Sequence, residues 1–518
     1  MTSKVIVEKN AYHDSVTLMS LSGKLLAKDG VEEAVVSMAT EMNKSLLGNI
    51  SLLTEEAEQA TENDLIIAVK ADTDETVEQV LRLVDEALHA RKEHKSGNGV
   101  KSVKTLPAAI DALPEANMAV ISVPGEYAAK EAKQALNQGL HVMLFSDNVT
   151  IEAERELKLL GQEKGLLVMG PDCGTAIINQ VGLCFANQIN QGGIGIVAAS
   201  GTGLQEVSVQ IDRLGYGITQ AIGTGGRDLH QDIGGIMMLE GMRALADDDA
   251  TDVIVLISKP PAKPVQDKIL NEIKKVTKPV VVGFLDGDRE AIEAVGATFA
   301  PTLIDAARQA VSLVDPTATI SSELDQAAID WVEQVTHNLT AQQRYVRGLF
   351  CGGTLTSEAL SIMRARGLQV KSNVAKKAEE KIDNLSLSVG HTLLDMGDDD
   401  FTKGKPHPMI EPALRNERLL IEAQDPETAV LLLDFELGYG SHDDPVGESI
   451  EVIKQAKQQA IDAGRYLPIV AYLCGTETDK QDYRKQEQKL KEAGVYVASS
   501  NEMASRLACM IANKEVAK

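Results

Sequence analysis

Two short segments set the same residue types at the same spacing. Ser200-Gly-Thr-Gly203 and Gly352-Gly-Thr-Leu355 each follow a run of apolar residues and open an amphipathic one. Glycine lets the backbone turn tightly and approach an anion. The first amides of a helix have no partner within it, and the helix dipole makes that end electropositive. The hydroxyls of Ser200, Thr202 and Thr354 either cap the helix or donate to phosphate oxygens. Ser200, Gly201, Thr202, Gly203, Gly352, Gly353 and Thr354 are therefore candidate phosphate ligands, with plain helix caps as the alternative. Glu206 and Glu358 sit five residues after the glycine of each Gly-Thr pair. They are candidates for proton transfer, or simply acids that the helix dipole prefers. Two equivalent turns facing one another could grip a single anion from both sides.

Further candidates lie in glycine-rich loops. Gly170-Pro-Asp-Cys-Gly-Thr175 follows an apolar strand, where open α/β sheets bind ligands, so Asp172 and Cys173 are candidate substrate contacts and a structural turn is the alternative. In Gly223-Thr-Gly-Gly-Arg-Asp-Leu-His230, Gly225 and Arg227 are candidates for holding a carboxylate or phosphate. His407, near Lys403 and Lys405, is a candidate catalytic group for an anionic substrate. Three consecutive aspartates, Asp398 to Asp400, read as a solvated loop, and no metal site is assigned. There is no GxxxxGK[ST] segment of the usual nucleotide-binding loop.

Short β-branched runs alternate with longer amphipathic segments, the pattern of parallel sheets with crossover helices. Val5–Val7, Val35–Val36, Leu65–Val69, Met118–Val123, Val142–Phe145 and Leu166–Met169 are expected strands, and residues 1–190 are expected to form one doubly wound domain. Residues 191–315 form a second unit, 316–345 a linking helix around the single tryptophan, Trp331, and 346–518 a third unit. The second and third units repeat one plan: a strand, a Gly-Thr helix start, a strand ending in a glycine and acidic loop, an acidic patch and another apolar strand. Duplication is the economical reading.

Composition bounds the function. The 518 residues carry 51 Lys plus Arg against 76 Asp plus Glu, a net charge of −25, which repels nucleic acid. Runs such as Val253–Ile257 are far shorter than the ~18 apolar residues that a membrane span needs. Five cysteines are scattered without a CxxC pair, and the Met1-Thr-Ser-Lys4 start has no apolar leader core, so a reduced, cytoplasmic protein is expected.

Gly170-Pro-Asp-Cys173, Ala199-Ser-Gly-Thr202 and Ile222-Gly-Thr-Gly-Gly226 resemble, in order and separation, the GPNC, SGT and GxGG motifs of succinyl-CoA synthetase alpha subunits. Tyr12-His-Asp-Ser-Val16, Val123-Pro-Gly-Glu-Tyr-Ala128, Phe145-Ser-Asp-Asn-Val149, Gly225-Gly-Arg-Asp-Leu229 and Gly404-Lys-Pro-His-Pro-Met-Ile410 are similar to bacterial FdrA proteins over nearly the whole chain. The resemblance implies an α/β chain: a Rossmann-like, CoA-binding-like domain followed by two flavodoxin-like domains of the succinyl-CoA-synthetase type. It implies an acyl-CoA synthetase, or a subunit of an oxamate carbamoyltransferase in allantoin and purine nitrogen catabolism. The latter converts oxalurate and phosphate to oxamate and carbamoyl phosphate with partner subunits.

Two departures shape the expectation. Where synthetases carry a phosphate-relay histidine, this chain reads Leu285-Asp-Gly-Asp-Arg-Glu290, with no histidine between His230 and His337. Where they carry a GxTGxxG-like loop for CoA phosphates, it reads Lys9-Asn-Ala-Tyr-His-Asp-Ser15. The reading that needs neither histidine nor CoA is phosphorolysis, with phosphate as co-substrate between the two helix starts. An NDP-forming acyl-CoA synthetase using CoA and nucleotide, and a non-catalytic scaffold for partner subunits, are the alternatives.

Overall fold

The computed structural model describes residues 2–514 apart from 10, 12, 14, 27, 29, 41–42, 45–46, 49, 51, 62, 95–102, 319–325 and 403–404, so Lys403 lies outside the described residues. The chain divides into two compact units, Met1–Ala112 with Thr402–Pro406, and Leu113–Phe401 with His407–Lys518.

The first unit holds strands β1 (Thr2–Glu8), β2 (Val31–Met38) and β3 (Leu65–Ala71) in the order β1-β3-β2, all pairs antiparallel. β3 is central and nearly all buried because its residues alternate between two cores. Leu65, Ile67, Val69 and Ala71 pack with Leu18, Val77, Val80 and Val84, while Ile66 and Ala68 pack with Leu47, Leu52 and Ala57. This corrects the expectation of one doubly wound domain over residues 1–190. The strands were placed correctly, but an apolar run of this length does not say whether its neighbour runs parallel or antiparallel.

The second unit begins with a small parallel sheet, β4 (Met118–Ile121), β5 (His141–Leu144) and β6 (Val168–Met169), in sequence order. Two larger sheets follow. The first contains β7 (Thr175–Ile178), β8 (Val181–Cys184), β9 (Gln191–Ala198), β10 (Ile218–Gly223), β11 (Val253–Ser258), β12 (Val280–Phe284) and β13 (Thr298–Phe299), in the order β13-β12-β11-β9-β10-β7-β8. The second contains β14 (Tyr345–Phe350), β15 (Val370–Ser372), β16 (His391–Asp395), β17 (Thr428–Glu436), β18 (Ile469–Cys474) and β19 (Tyr496–Ala498), in the order β15-β16-β14-β17-β18-β19.

Reading β9 to β13 and β14, β16, β17, β18, β19 as strands one to five, both sheets have the order 2-1-3-4-5, the flavodoxin-like plan. The duplication is therefore real at the level of topology. The lobes differ at one edge, where an antiparallel β7–β8 hairpin extends the first sheet and the parallel strand β15 extends the second.

Four helices fill the space between these sheets: Gly201–Arg213 and Leu303–Val314 from the first lobe, Gly353–Ala365 and Asn501–Asn513 from the second. One continuous core runs through them, joining Leu204, Val207 and Leu303 to Leu355, Ala359, Ala504 and Leu507. Each fully buried aliphatic side chain there contributes roughly 1.5–3 kcal/mol. Residues Gly203 to Ile211 are all buried, so the Gly201 helix has no solvent face, and its Gln205, Glu206, Ser208 and Gln210 must find partners inside the protein. Within the expected linking segment the helix spans Gln326–His337. It belongs to this core through Ala328, Val332 and Val335, with Trp331 stacked on Tyr496 at 4.4 Å.

Candidate functional site

The two helix starts meet. Ser200 is the N-cap of the Gly201 helix, and its Oγ accepts from the Gly203 amide at 2.9 Å. The same oxygen lies 2.6 Å from Thr354 Oγ1, across the boundary between the lobes. Thr202 packs on Gly352 so closely that a methyl group at Gly352 would stand 2.8 Å from Thr202 Cγ2, and one at Gly203 would stand 3.1 Å from Thr354 Cγ2. The helix starts are thus in direct contact because two glycines leave room. Gly201, Thr202 and Gly353 are partly open to solvent. The amides of Gly201, Thr202, Gly353 and Thr354 have no hydrogen-bond partner among the described residues. Both ends contribute positive dipole to one place. The end before the Gly353 helix is braced from below by Asp434, whose carboxylate accepts from the amides of Cys351 (2.7 Å) and Gly352 (3.1 Å).

The two glutamates are not at this opening, which corrects their assignment as catalytic groups. Glu358 reaches across the lobe boundary to the Leu303 helix and accepts its first amide, Leu303 N, at 2.7 Å, and Asn501 Nδ2 at 2.7 Å. Glu206 does the reciprocal thing, lying beside the Asn501 amide at the start of the last helix and beside the Tyr472 hydroxyl. Each glutamate from one lobe serves a helix start of the other. Burial lifts both carboxyls, Glu358 to about 8 with the charge of Glu206 adding to the desolvation. The spacing that made them look alike reflects this symmetric structural duty.

The remaining candidates divide. Cys173 is a core residue: its Sγ would be 2.5 Å from a methyl on Gly223, and burial pushes the thiol up to about 12, so the expected ligand contact is corrected to packing. Asp172, with φ +52°, is solvent-accessible yet surrounded by protein, the condition of a group in a cleft. Desolvation and the nearby charges of Asp399 and Asp147 raise it to about 6 against the pull of Arg227 and Lys259. Gly225, at φ +85°, carries the backbone over the Gly170-Pro171 peptide, where any side chain would collide with Pro171 O. Arg227 donates to Val149 O at 2.7 Å and pairs with Glu154 at 2.9 Å, while keeping a third of its side chain exposed. Beneath it, fully buried Lys158 bonds Glu154, Asp228 and Thr224 O, and Asp228 accepts the Met238 amide at 2.8 Å. That network fixes the loop carrying Gly225 and Arg227.

His407 is half-buried against Phe185 and Gly397, its Nδ1 accepting from Met409 N at 3.2 Å. Desolvation lowers it to about 4, so it is a neutral imidazole at physiological pH. Asp398 Oδ1 accepts from the Asp400 amide at 3.1 Å, so the three aspartates shape a turn.

Residues that the sequence reading did not single out stand closer to the helix starts. Lys259 follows β11, and Asp395 ends β16. A methyl on Gly353 would collide with Asp395 Oδ2 and stand 3.2 Å from Lys259 Nζ. Deeper lies a buried group of Cys351, Asp434 and Glu436 whose ligand atoms fall within 4.8 Å of one another. Arg415 Nη1 is 3.0 Å from Cys351 Sγ and 3.5 Å from Asp434 Oδ1, with its guanidinium 4.4 Å over the Phe435 ring. That cation already balances one charge of the group. Neither Glu436 oxygen accepts a bond among the described residues, while Glu436 and Asp434 face each other with both carboxyls raised by burial, so a protonated Glu436 donating to Asp434 accounts for the pair.

The segment standing where synthetases have their relay histidine is structural. Asp286, at φ +54°, pairs with Arg364 of the Gly353 helix at 2.8 Å. At the first parallel strand-to-helix turn, Ser122-Val-Pro-Gly125, the backbone of Asp147 and Asn148 lies against Gly125 and leaves no room for a side chain there.

Three family models match the chain: "AllF, heavy metal-associated domain" over residues 1–104, "CoA binding domain" over 190–285 and "CoA-ligase" over 349–511. The CoA-binding match thus falls on the first large lobe and not on residues 1–190. The heavy-metal description does not fit residues 1–104, which contain no cysteine to supply thiolates. "Uncharacterized protein YahF" of Escherichia coli K12 is 48% identical over 510 residues, 98% of each chain. The succinate–CoA ligase [ADP-forming] subunit alpha 2 of Archaeoglobus fulgidus is 26% identical over 200 residues, 37% of this chain and 67% of that one. The dinucleotide-forming acetyl-coenzyme A synthetase 1 of Ca. Korarchaeum cryptofilum, solved with phosphate and ADP, is 14% identical with a TM-score of 0.30, covering 80% of this chain and 87% of that one. No helix among the described residues is long and apolar enough to cross a membrane.

Proposed function

The chain belongs to the FdrA family, whose members share the fold of succinyl-CoA ligase alpha subunits, and from that premise we propose that it is the FdrA-type subunit of a phosphate-dependent carbamoyl or acyl transferase. The reaction is of the oxamate carbamoyltransferase kind, oxalurate and phosphate giving oxamate and carbamoyl phosphate, in the cytoplasm during allantoin and purine nitrogen catabolism. Partner subunits complete the enzyme.

The observation that carries this reading is the contact of two helix starts, Ser200 Oγ to Thr354 Oγ1 at 2.6 Å, with unpaired amides on both sides. Such a pair of amide sets suits a tetrahedral oxyanion. A phosphate held there presents an oxygen to a carbonyl carbon, and the same amides stabilise the charge as the carbon–nitrogen bond breaks. In this reading the substrate carboxylate is received by Arg227, whose side chain is partly exposed above its buried network.

A second reading, an NDP-forming acyl-CoA synthetase, is supported by the CoA-binding and CoA-ligase matches. It requires a partner to supply the histidine that the segment 231–336 lacks. The deciding assay is phosphate-dependent cleavage of oxalurate with and without co-purified partners, alongside calorimetry with CoA, ADP and phosphate. Carbamoyl phosphate formation supports the first reading. Nucleotide-dependent thioester formation without oxalurate cleavage replaces it with the second, and binding of none of the three ligands leaves a scaffold. The Thr202→Val, Thr354→Val double variant is expected to lose phosphate binding.

A further inference from the structure

Lys259 brings a full positive charge to the helix-start site. It stands at the carboxyl end of β11, half-buried, and makes no hydrogen bond or ion pair among the described residues. Its Nζ lies against Gly353, where the second helix opens. Asp395, at the equivalent end of β16, is 6% exposed and points Oδ2 at the same glycine. Its Oδ1 accepts from Gly397 N at 3.0 Å, whereas Oδ2 accepts no hydrogen bond among the described residues. An unpaired carboxyl oxygen, on a residue only 6% exposed, and an ammonium without a hydrogen bond or ion pair among the described residues therefore converge on the start of the Gly353 helix, each delivered by a different lobe.

We propose, resting on the phosphate reading above, that Lys259 neutralises the oxyanion held by the helix starts and that Asp395 is the general acid that protonates the departing nitrogen. The substrate class is an N-acylated or N-carbamoylated amide. A phosphate oxygen forms a bond to its carbonyl carbon, the carbon–nitrogen bond breaks with the electron pair going to nitrogen, and the Asp395 proton moves to that nitrogen. The proton of monohydrogen phosphate restores Asp395, so charge and atoms balance. Two features support the role. Lys259 supplies a cation that the helix dipoles alone do not. Burial, with the charges of Asp398 and Asp434, holds Asp395 at about 7 despite the counter-pull of Lys259, a value suited to donating near neutral pH.

The test uses the full chain with its co-purified partners. Phosphate binding by calorimetry is measured first on the unchanged protein; no binding there overturns the phosphate reading itself. Given binding, Lys259→Met is expected to weaken phosphate affinity by about tenfold or more, with Lys259→Arg restoring much of it. Asp395→Asn is expected to keep phosphate affinity within about twofold while turnover of the amide falls at least about a hundredfold. The fall of the normal rate above about pH 7 is expected to vanish from the residual activity. Unchanged phosphate affinity in Lys259→Met, or an unchanged rate and pH profile in Asp395→Asn, overturns the inference while leaving the phosphate reading standing.

Discussion

Glu358 has both oxygens committed, one to Leu303 N and one to Asn501 Nδ2, yet its carboxyl is held at about 8. Desolvation, with the charge of Glu206 adding to it, outweighs the two favourable donors. The folded state therefore keeps a proton that the unfolded chain, near 4.5, gives up. Below the unfolded value both states are protonated and nothing is lost. As pH rises from there through about 8, folding becomes progressively less favourable. Glu358→Gln is expected to flatten that decline in a series of thermal melts taken between about pH 5 and pH 8, at a basal cost of ~1 kcal/mol for the imperfect amide replacement. An unchanged slope would show that the glutamate ionises freely. Cys173 gives an independent check. With its thiol pushed to about 12 and its sulfur against Gly223, native protein at pH 8 is expected to leave Cys173 unalkylated by iodoacetamide while unfolded protein reacts fully. Labelling of Cys173 in the folded state would restore a reactive role.

At the scale of elements, the central feature is that two buried helices touch at their starts. Gly352→Ala would put a methyl 2.8 Å from Thr202 Cγ2, against the start of the other helix and not against a flexible tip. Separating the helices by even a few tenths of an ångström disturbs a close-packed core, so a loss of ~1–3 kcal/mol is expected in denaturant titration, together with weakened phosphate binding. Gly203→Ala is expected to act in the same direction, since Thr354 Cγ2 lies 3.1 Å from the new methyl. Arg415 supports the same helix start from beneath. Replacing it by alanine removes the cation that contacts Asp434 and Cys351 and opens a cavity beside Phe435, with an expected cost of ~3–5 kcal/mol. A variant of normal stability would point to another counter-charge.

Across the whole molecule, the second unit should behave as one cooperative block. A single core passes through both lobes, and polar ties cross between them: Arg213 to Leu473 O at 2.6 Å, Gln210 to Ser499 O at 2.9 Å and Asn187 to Asp479 at 2.7 Å. The first unit has its own separate cores. Scanning calorimetry of the full chain is expected to show one transition for the two lobes together and a distinct one for the N-terminal unit. Separate melting of the lobes would contradict the shared core.

The chain itself determined the strand positions, the twin Gly-Thr starts and the duplication, because β-branched runs, glycine turns and helical periodicity are local properties whose spacing survives in one dimension. It also carried the kinship, through Gly170-Pro-Asp-Cys173 and its companions. Three things were decided only by tertiary structure. Whether β1 to β3 ran parallel depended on pairing partners, which periodicity does not encode. Whether Glu206 and Glu358 served chemistry or architecture depended on which helix start stood opposite each. Whether Lys259 and Asp395 belonged to the site at all depended on two strand ends, far apart in sequence, being brought to one glycine. Charge, burial and proximity are properties of the surroundings, and the surroundings exist only once both lobes have folded against each other.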